Sequence, residues 1–208
     1  NSSPALYHEQ IVEGINGEKV ILNVYGLMIS SHQFEADLRN RTKHTLYKVQ
    51  EAVDLAASDG CEYFGLGQFT SIVSSNGLLL QPSLPLTTGN SLTAGMAYRA
   101  VERLIADRFS NKKDLKIGVV GFTGNICLVV SQLLADLNYP MTLVYREPYA
   151  TSERFKSAVQ DLLSVSQLSM EQLTFAHEIS AIRDCDVVLV GTNSSAEFIL
   201  SEHVKPGS

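Results

Sequence analysis

The sequence lacks the features that mark several large classes of protein. It has no run of 18 or more apolar residues, so we predict no transmembrane helix. Its formal net charge is -6 and it has no long basic run, which argues against a nucleic-acid partner because contact with phosphates requires a basic stripe. The first residues are polar and do not resemble a signal peptide.

Cysteine is also sparse. Cys61, Cys127 and Cys185 lie far apart, form no CxxC pair and have no zinc-ligand spacing with the five histidines. We therefore predict no disulfide framework, no metal site and a reducing, cytoplasmic location. Each cysteine is interpreted as a small buried hydrophobic residue in preference to a nucleophile.

The composition of the chain is that of an ordinary soluble globular protein. Its 208 residues are 45% hydrophobic and 18% charged, which suits one large domain or two small ones. The pattern changes near residue 112, after a polar segment. We predict a smaller N-terminal α/β domain on the substrate side, residues 1–112, followed by a Rossmann-like NAD(P)-binding domain, residues 113–208.

The N-terminal half alternates between β-like and helical segments. Residues 1–17 look irregular, whereas residues 19–29 are apolar and β-branched and predict a strand. Ser30 or Ser31 is suited to cap the next helix. The other segments predict a helix over 34–58, a glycine-interrupted strand over 62–73, a loop over 81–90 and a helix from Asn90 or Ser91 to Phe109.

In the C-terminal half, short apolar strands alternate with helices. The strands are predicted at 116–120, 141–145, 173–176 and 187–190, with helices at 124–137, 152–163 and 179–183. This alternation predicts a doubly wound parallel sheet. A Rossmann sheet has about six strands. Because only four are found, we predict that the last strands are missing and that the chain is a segment of a longer protein.

The most specific local signal lies between the first of these strands and its helix. It is the run Gly121, Phe122, Thr123, Gly124, Asn125 and Ile126. Gly121 permits a tight turn, Gly124 lets a pyrophosphate approach the backbone, and the helix N-terminus offers N–H groups to the phosphates. Cys127 stands where a third glycine is usual. We predict a dinucleotide site; the alternative is a flavodoxin-like turn that binds no dinucleotide.

Arg146, at the end of the second of these strands, predicts the choice of cofactor. An arginine at this position meets the 2′-phosphate of NADP, whereas an acidic residue grips the ribose of NAD. Arg146 favours NADPH, and Ser152 and Arg154 follow closely. The neighbouring Glu147 leaves NAD open. After the fourth strand, Thr192 and Asn193 are small polar residues suited to contact the nicotinamide ribose, or to form an ordinary loop.

Two further motifs, taken with the glycine turn, resemble one family. Gln68-Phe69-Thr70-Ser71-Ile72 and Thr87-Thr88-Gly89-Asn90 both precede the turn. From about residue 18 onward the chain resembles the cyanobacterial long-chain acyl-(acyl carrier protein) reductases, which carry a similar GGFTSI stretch, then TTGN, then a VVGATGDIG-type turn. The resemblance implies an NADPH-dependent enzyme that reduces a fatty acyl thioester to an aldehyde, with an acyl carrier protein or CoA as the carrier.

The resemblance is incomplete at the catalytic residue. The family's acylated cysteine lies well beyond the fourth Rossmann strand, and none of the three cysteines matches it. Thr88 and Asn90 are candidates to contact the substrate oxyanion, and a helix cap is the alternative for Asn90. Two other functions stay open: a different oxidoreductase of the shikimate dehydrogenase or glutamyl-tRNA reductase kind, and a non-catalytic nucleotide-binding module of a larger synthase.

Overall fold

The chain forms a mixed α/β structure with two compact units. The computed structural model describes residues 3–109, 114–146, 152–166, 168–192 and 198–206. The units are residues 1–89 and 90–208. The division therefore falls before the helix Asn90–Arg108, which belongs to the second unit, whereas the sequence analysis placed it in the N-terminal domain.

The first unit begins with an antiparallel hairpin of β1, Ala5–Glu13, and β2, Lys19–Gly26. The prediction of irregular structure over residues 1–17 was wrong. Every residue of β1 is exposed, so its sequence shows no alternation of apolar and polar residues. It is a strand because its backbone pairs with β2. The turn between the two strands lies near Asn16 and Gly17, where Gly17 has φ +83° and its N–H donates to the Gly14 carbonyl.

Two helices follow where one was predicted. They are α1, Ser31–Asn40, and α2, His44–Ser58. Ser30 caps α1 as predicted, with its hydroxyl accepting the Gln33 N–H at 3.3 Å. Arg41 adopts φ 55° and ends α1, and the Asp37 carboxylate then accepts the Thr45 N–H at 2.7 Å. A side chain near the end of α1 thus binds the first turn of α2.

The remainder of the first unit is short and irregular. Its elements are β3, Phe64–Gly65, α3, Phe69–Val73, and β4, Leu86–Thr87, with β3 and β4 parallel. The predicted strand over 62–73 was wrong beyond residue 65. Gln68 has φ 50° and turns the chain, and the Thr70 hydroxyl donates to the Gly67 carbonyl at 2.6 Å. These local hydrogen bonds favour a helical turn despite the β-like composition.

The second unit contains the parallel sheet that the sequence predicted. Its elements are α4, Asn90–Arg108; β5, Ile117–Val120; α5, Asn125–Ala135; β6, Met141–Val144; α6, Glu153–Val165; β7, Leu173–Ala176; and β8, Val187–Val190. The four strands are all parallel and lie in the order β7-β6-β5-β8. The coarse prediction of an α/β fold with a parallel sheet is confirmed.

Both faces of this sheet are covered. Ile117 and Val119 belong to the core that contains residues of α4, α5 and α6, whereas Val120 packs with Val144, Ile182 and Cys185 in a second cluster. All four residues of β5 are buried. A strand buried on both faces reads as a continuous apolar run, which explains why the sequence located β5 and its neighbours so closely.

Membrane-spanning and metal-binding features are not found in the described part of the chain. No helix there combines the length and apolar character needed to cross a bilayer. Nor do any three His, Cys, Asp or Glu side chains within the described ranges gather as ligands for a metal ion.

Candidate nucleotide-binding site

The glycine turn lies at the carboxyl end of β5, tied to the neighbouring strand. The N–H groups of Gly121 and Phe122 both donate to the Val144 carbonyl, at 2.9 and 3.0 Å, and the Gly124 N–H donates to the Gly121 carbonyl at 2.7 Å. Gly124 is the N-cap residue of α5. The chain therefore passes from a buried strand through a hydrogen-bonded turn into a helix N-terminus, where partial positive charge and N–H groups favour an anion.

Both the backbone conformation at position 121 and the atoms around it require glycine there. Its φ is +92°, and a Cβ at this position would lie 2.1 Å from the Gly191 carbonyl oxygen. The Gly191 N–H donates to the Val120 carbonyl at 2.9 Å. The ends of β5 and β8 are therefore in direct backbone contact, and neither an L side chain nor a wider turn fits between them.

Gly191 also explains why Cys127 is tolerated in place of the usual third glycine. A Cβ on Gly191 would lie 2.3 Å from the Cys127 Sγ. The space that a third glycine normally leaves on the helix is therefore left here by Gly191, directly after β8. The Cys127 thiol is 2% exposed and donates to the Val120 carbonyl at 3.5 Å. Burial raises the pKa of Cys127 to about 11. Cys127 is therefore a packing residue, as predicted.

Phe122 faces the core and not the ligand side of the turn. Its side chain is fully buried and contacts Phe155 and Phe175, with ring centroids 6.4 and 5.9 Å away. The Tyr145 ring packs against Phe155 in a tilted arrangement, with ring centroids 4.5 Å apart. The Phe122 N–H donates to the Val144 carbonyl. Phe122 therefore holds the turn against β7 and α6, and neither its ring nor its N–H is directed toward a phosphate.

Arg154 contacts the turn directly, although it was not among the predicted site residues. Its Nε donates to the Thr123 carbonyl at 3.0 Å and its Nη2 to the Asn125 Oδ1 at 3.2 Å. The Ser152 hydroxyl caps α6 by accepting the Phe155 N–H, which places Arg154 in the first turn. The sequence did contain a signal for Arg154, because a basic residue soon after the second Rossmann strand is where the 2′-phosphate of NADP is bound.

The other predicted cofactor residues share the same edge of the sheet. Arg146 is exposed two residues beyond β6, Thr192 is exposed two residues beyond β8, and Asn125 and Ile126 begin α5. Asn193 and Glu147 lie outside the described residues. Where β5 is flanked by β6 on one side and β8 on the other, the chain changes its winding direction, and ligands of open α/β sheets bind outside the carboxyl ends at such a point.

Thr88 and Asn90 lie beside the break between the units. Thr88 is half-buried in the loop after β4, and Asn90 is the first residue of α4, with both making contacts of their own. The structure thus places Asn90 in the first turn of the helix, one residue inside the cap position. Their predicted role toward a substrate oxyanion stays a prediction.

The first unit contains a groove of about 1110 Å³. It is lined by β2 and by residues 59–70, including the glycine-rich run from Gly65 to Thr70. Beside it, the Tyr25 hydroxyl donates to Asp59 Oδ2 at 2.8 Å and is hydrogen-bonded to Cys61 Sγ at 3.5 Å. Burial, with these two partners, raises the pKa of Tyr25. Cys61 is half-buried, whereas Cys127 and Cys185 are buried as predicted.

Comparison with known proteins gives a partial match to a curated aminotransferase. No protein-family profile matches the chain. Over 124 residues the chain is 31% identical to the aminotransferase PigE of Serratia sp. (strain ATCC 39006), which covers 59% of this chain and 14% of that protein. The chain thus spans a small part of the relative's length.

This match corrects the predicted function. The sequence analysis predicted an NADPH-dependent reductase of fatty acyl thioesters, whereas the relative is an aminotransferase, which belongs to the transferases. The prediction of activity and enzyme class is therefore contradicted. The likeness of three motifs suggested one reaction, but glycine turns and capping sequences report backbone geometry and are shared by enzymes of different classes. The resemblance to the acyl-(acyl carrier protein) reductases is not addressed by this match.

Proposed function

We propose that the second unit is a dinucleotide-binding module, selective for NADPH, within an aminotransferase-like protein. The observation that carries the proposal is the glycine turn between β5 and α5, at the point where the sheet changes its winding direction. The strand order β7-β6-β5-β8 corresponds to 3-2-1-4, the first four strands of a Rossmann sheet. The finer assignment of a doubly wound Rossmann fold belongs to this proposal.

The turn supports a pyrophosphate ligand. Gly121 supplies the left-handed conformation, and Gly124 leaves the entrance to α5 without a side chain. The main chain of Asn125 and Ile126 follows at the helix N-terminus, where unpaired N–H groups and the helix dipole attract phosphate. Thr192, two residues beyond β8, lies at the same edge of the sheet. From there it would contact the nicotinamide ribose.

The arginines support NADPH over NADH. Arg146 follows β6, the strand whose end usually meets the adenosine ribose, and Arg154 brings a second guanidinium to the turn. The NADP 2′-phosphate carries two negative charges near neutral pH, and a guanidinium binds phosphate oxygens through paired donors. Arg154 is hydrogen-bonded to the turn, so we assign it to positioning the turn. We assign Arg146 to the phosphate from its place directly after β6.

The aminotransferase relative raises pyridoxal phosphate as the alternative cofactor. That cofactor is held as a Schiff base with a lysine. In the described part of the second unit, Lys116 precedes β5, Lys156 is paired with Glu153, and Lys205 is paired with Asp186. Lys116 and Asp186 lie at the amino ends of their strands, opposite the glycine turn. The described residues at the turn therefore fit a dinucleotide better than pyridoxal phosphate, and transamination would require a lysine from elsewhere in such a protein.

Calorimetric titration of the 208-residue chain with NADPH and NADH tests this proposal. We expect NADPH to bind more tightly, and Arg146→Ala to remove roughly tenfold to a hundredfold in affinity for NADPH, as for one charge-assisted phosphate contact of about 1.5–3 kcal/mol. NADH affinity should change little. Arg183→Ala is the matched control, because Arg183 is exposed and precedes β8 at the other end of the sheet.

Two results would overturn the proposal. The first is a folded chain that binds neither dinucleotide. The second is an equal loss for Arg146→Ala and Arg183→Ala, which would indicate a general charge effect. Titration with pyridoxal phosphate, followed by absorbance and borohydride trapping, tests the alternative, and a stoichiometric adduct on a single lysine of this chain would favour it.

A further inference from the structure

The groove of the first unit has an apolar floor. Phe64 and Phe69 line it and pack against the buried cluster that contains Phe34, yet each is only half-buried. Phe69 stacks on Phe34, with ring centroids 5.7 Å apart. A mostly apolar concavity of about 1110 Å³ with a few polar groups has the size and character of a small-molecule site.

Two glycines on the wall of the groove are not explained by the packing of the unit. Gly65 and Gly67 both line it, neither has the positive φ that favours glycine, and a Cβ on either would meet no atom within 4 Å. The N–H groups of the two neighbours of Gly65 donate to the β4 segment at 3.0 and 2.7 Å, so the Gly65 N–H is directed away from β4. Glycine in a strand often marks the close approach of a ligand to the backbone, and that approach accounts for both residues.

A polar cluster beside this floor is short of hydrogen-bond donors. The Tyr25 hydroxyl gives its only proton to Asp59 Oδ2 at 2.8 Å, so at their contact of 3.5 Å the Cys61 thiol donates to Tyr25. Asn23 Nδ2 donates to Cys61 Sγ at 3.8 Å. The Asn23 Oδ1 is buried and accepts no hydrogen bond from the described part of the chain. A buried acceptor without a donor is costly, so the cluster calls for a donor from outside it.

The charges that line the groove favour a cation. Three carboxylates line it, those of Glu9, Asp59 and Glu62, against the single ammonium of Lys19. Glu9 is the cross-strand partner of Asn23, which places it on the same face of the hairpin as the polar cluster. Within the described ranges, none of these four side chains takes part in an ion pair. A concave surface lined by an excess of one charge attracts the opposite charge.

We propose that this groove binds a primary amine that carries an apolar chain. An ammonium has three donors and no acceptor, which complements Asn23 Oδ1 and the Asp59 carboxylate, and its charge complements the acidic lining. The apolar chain would lie against Gly65 and cover Phe64 and Phe69. A ligand with a carboxylate head would instead bring further acceptors and a further negative charge. The site belongs to the first unit and does not depend on the dinucleotide proposed for the second.

Calorimetric titration of the 208-residue chain with three six-carbon ligands tests the proposal. The ligands are n-hexylamine, 1-hexanol and hexanoate, in phosphate buffer at pH 7. We expect hexylamine to bind about tenfold more tightly than the other two, as for one charge-assisted hydrogen bond. n-Butylamine should bind on the order of tenfold more weakly than hexylamine, because two fewer methylene groups are buried.

Two substitutions test the head group and the wall separately. Asp59→Asn keeps an oxygen for Tyr25 and removes the charge, so hexylamine affinity should fall about tenfold and hexanol affinity should stay the same. Asp54→Asn is the matched control, because Asp54 is an exposed carboxylate of α2 outside the groove. Gly65→Ala meets no atom of the chain and should weaken hexylamine severalfold, whereas Gly95→Ala in α4, equally free of contacts, should not.

The Cys61 thiol reports where the amine binds, since it lies in the polar cluster. Hexylamine should slow the reaction of Cys61 with a disulfide reagent severalfold, and hexanoate at the same concentration should not. Circular dichroism verifies the fold of each variant. The proposal is overturned if hexylamine does not bind, if the three six-carbon ligands bind alike, if Asp59→Asn and Asp54→Asn cause equal losses, or if hexylamine leaves the labelling of Cys61 unchanged.

Discussion

The strands β5 and β1 differ in what makes them strands. In β5 all four residues are buried, and Ile117 and Val119 are fully inaccessible. In β1 all nine residues are exposed, although it is more than twice as long. The first is a strand because its side chains fill a core on both faces. The second is a strand because its backbone pairs with β2. A buried strand requires a run of apolar residues that can be recognised in the sequence, whereas the backbone pairing of an exposed hairpin requires no such pattern.

The largest effect is expected at the contact between β5 and β8. Gly121→Ala would place a Cβ 2.1 Å from the Gly191 carbonyl in a left-handed conformation. We expect it to destabilise the second unit by about 3–4 kcal/mol, since backbone cannot move aside as a flexible side chain would. Urea denaturation followed by circular dichroism measures the change, because the chain has no tryptophan.

The variant Gly60→Ala separates the energetic cost of the steric clash from the cost of the left-handed backbone conformation. Gly60 has φ +83° and no atom within 4 Å of an added Cβ, so its substitution costs about 1 kcal/mol for the left-handed backbone alone. Equal losses at Gly121 and Gly60 would show that the close approach of β5 to β8 does not exist in solution.

A pair of isoleucine truncations compares the two kinds of strand directly. Ile117 is 0% exposed in β5, and Ile21 is 63% exposed in β2. Ile117→Val should cost about 1 kcal/mol, whereas Ile21→Val should stay within about 0.5 kcal/mol of the wild type. Denaturation midpoints measure both, and a larger loss at Ile21 would mean that the hairpin is buried in solution.

The Asp37 carboxylate predicts a pH dependence confined to the first unit. The hydrogen bond from Thr42, assisted by the Thr45 N–H, lowers the pKa of Asp37 below its usual value of 3.8. A carboxyl with a lowered folded-state pKa stabilises the fold above its unfolded pKa, and that contribution is lost as the pH falls through the folded value. Asp37→Asn should therefore cost roughly 0.5–1 kcal/mol at pH 7, and the cost should shrink as the pH falls through the folded-state pKa. Unfolding curves over a series of pH values from neutral to acidic measure the change, and a constant loss would contradict the assignment.

The smallest effect concerns reactivity rather than stability. Cys127 and Cys185 are buried, and desolvation raises the pKa of each thiol. Cys61 is half-buried beside the groove of the first unit. In the native chain we expect a small disulfide reagent at pH 8 to titrate Cys61 first, with the other two thiols reacting only after denaturation. Mass spectrometry of the modified peptides distinguishes the three, and early labelling of Cys127 would contradict the packing of the glycine turn.

Sequence reasoning located the buried strands closely and failed where burial is absent. The strands β7 and β8 were predicted with the bounds observed, whereas the exposed strand β1 was read as irregular. The helix break at Arg41 was also missed, because it depends on a left-handed residue that is neither glycine nor asparagine. The reaction was predicted wrongly, since the motifs describe how a backbone turns and not which group is transferred.

By itself, the sequence determined the four parallel strands and the glycine turn at Gly121 and Gly124, because hydrophobic runs and obligatory glycines are local signals. The tertiary structure alone decided that Gly191, directly after β8, makes room for Cys127 and that Arg154 reaches the turn from α6. Both depend on contact between residues distant in the chain. Only folding brings those residues together.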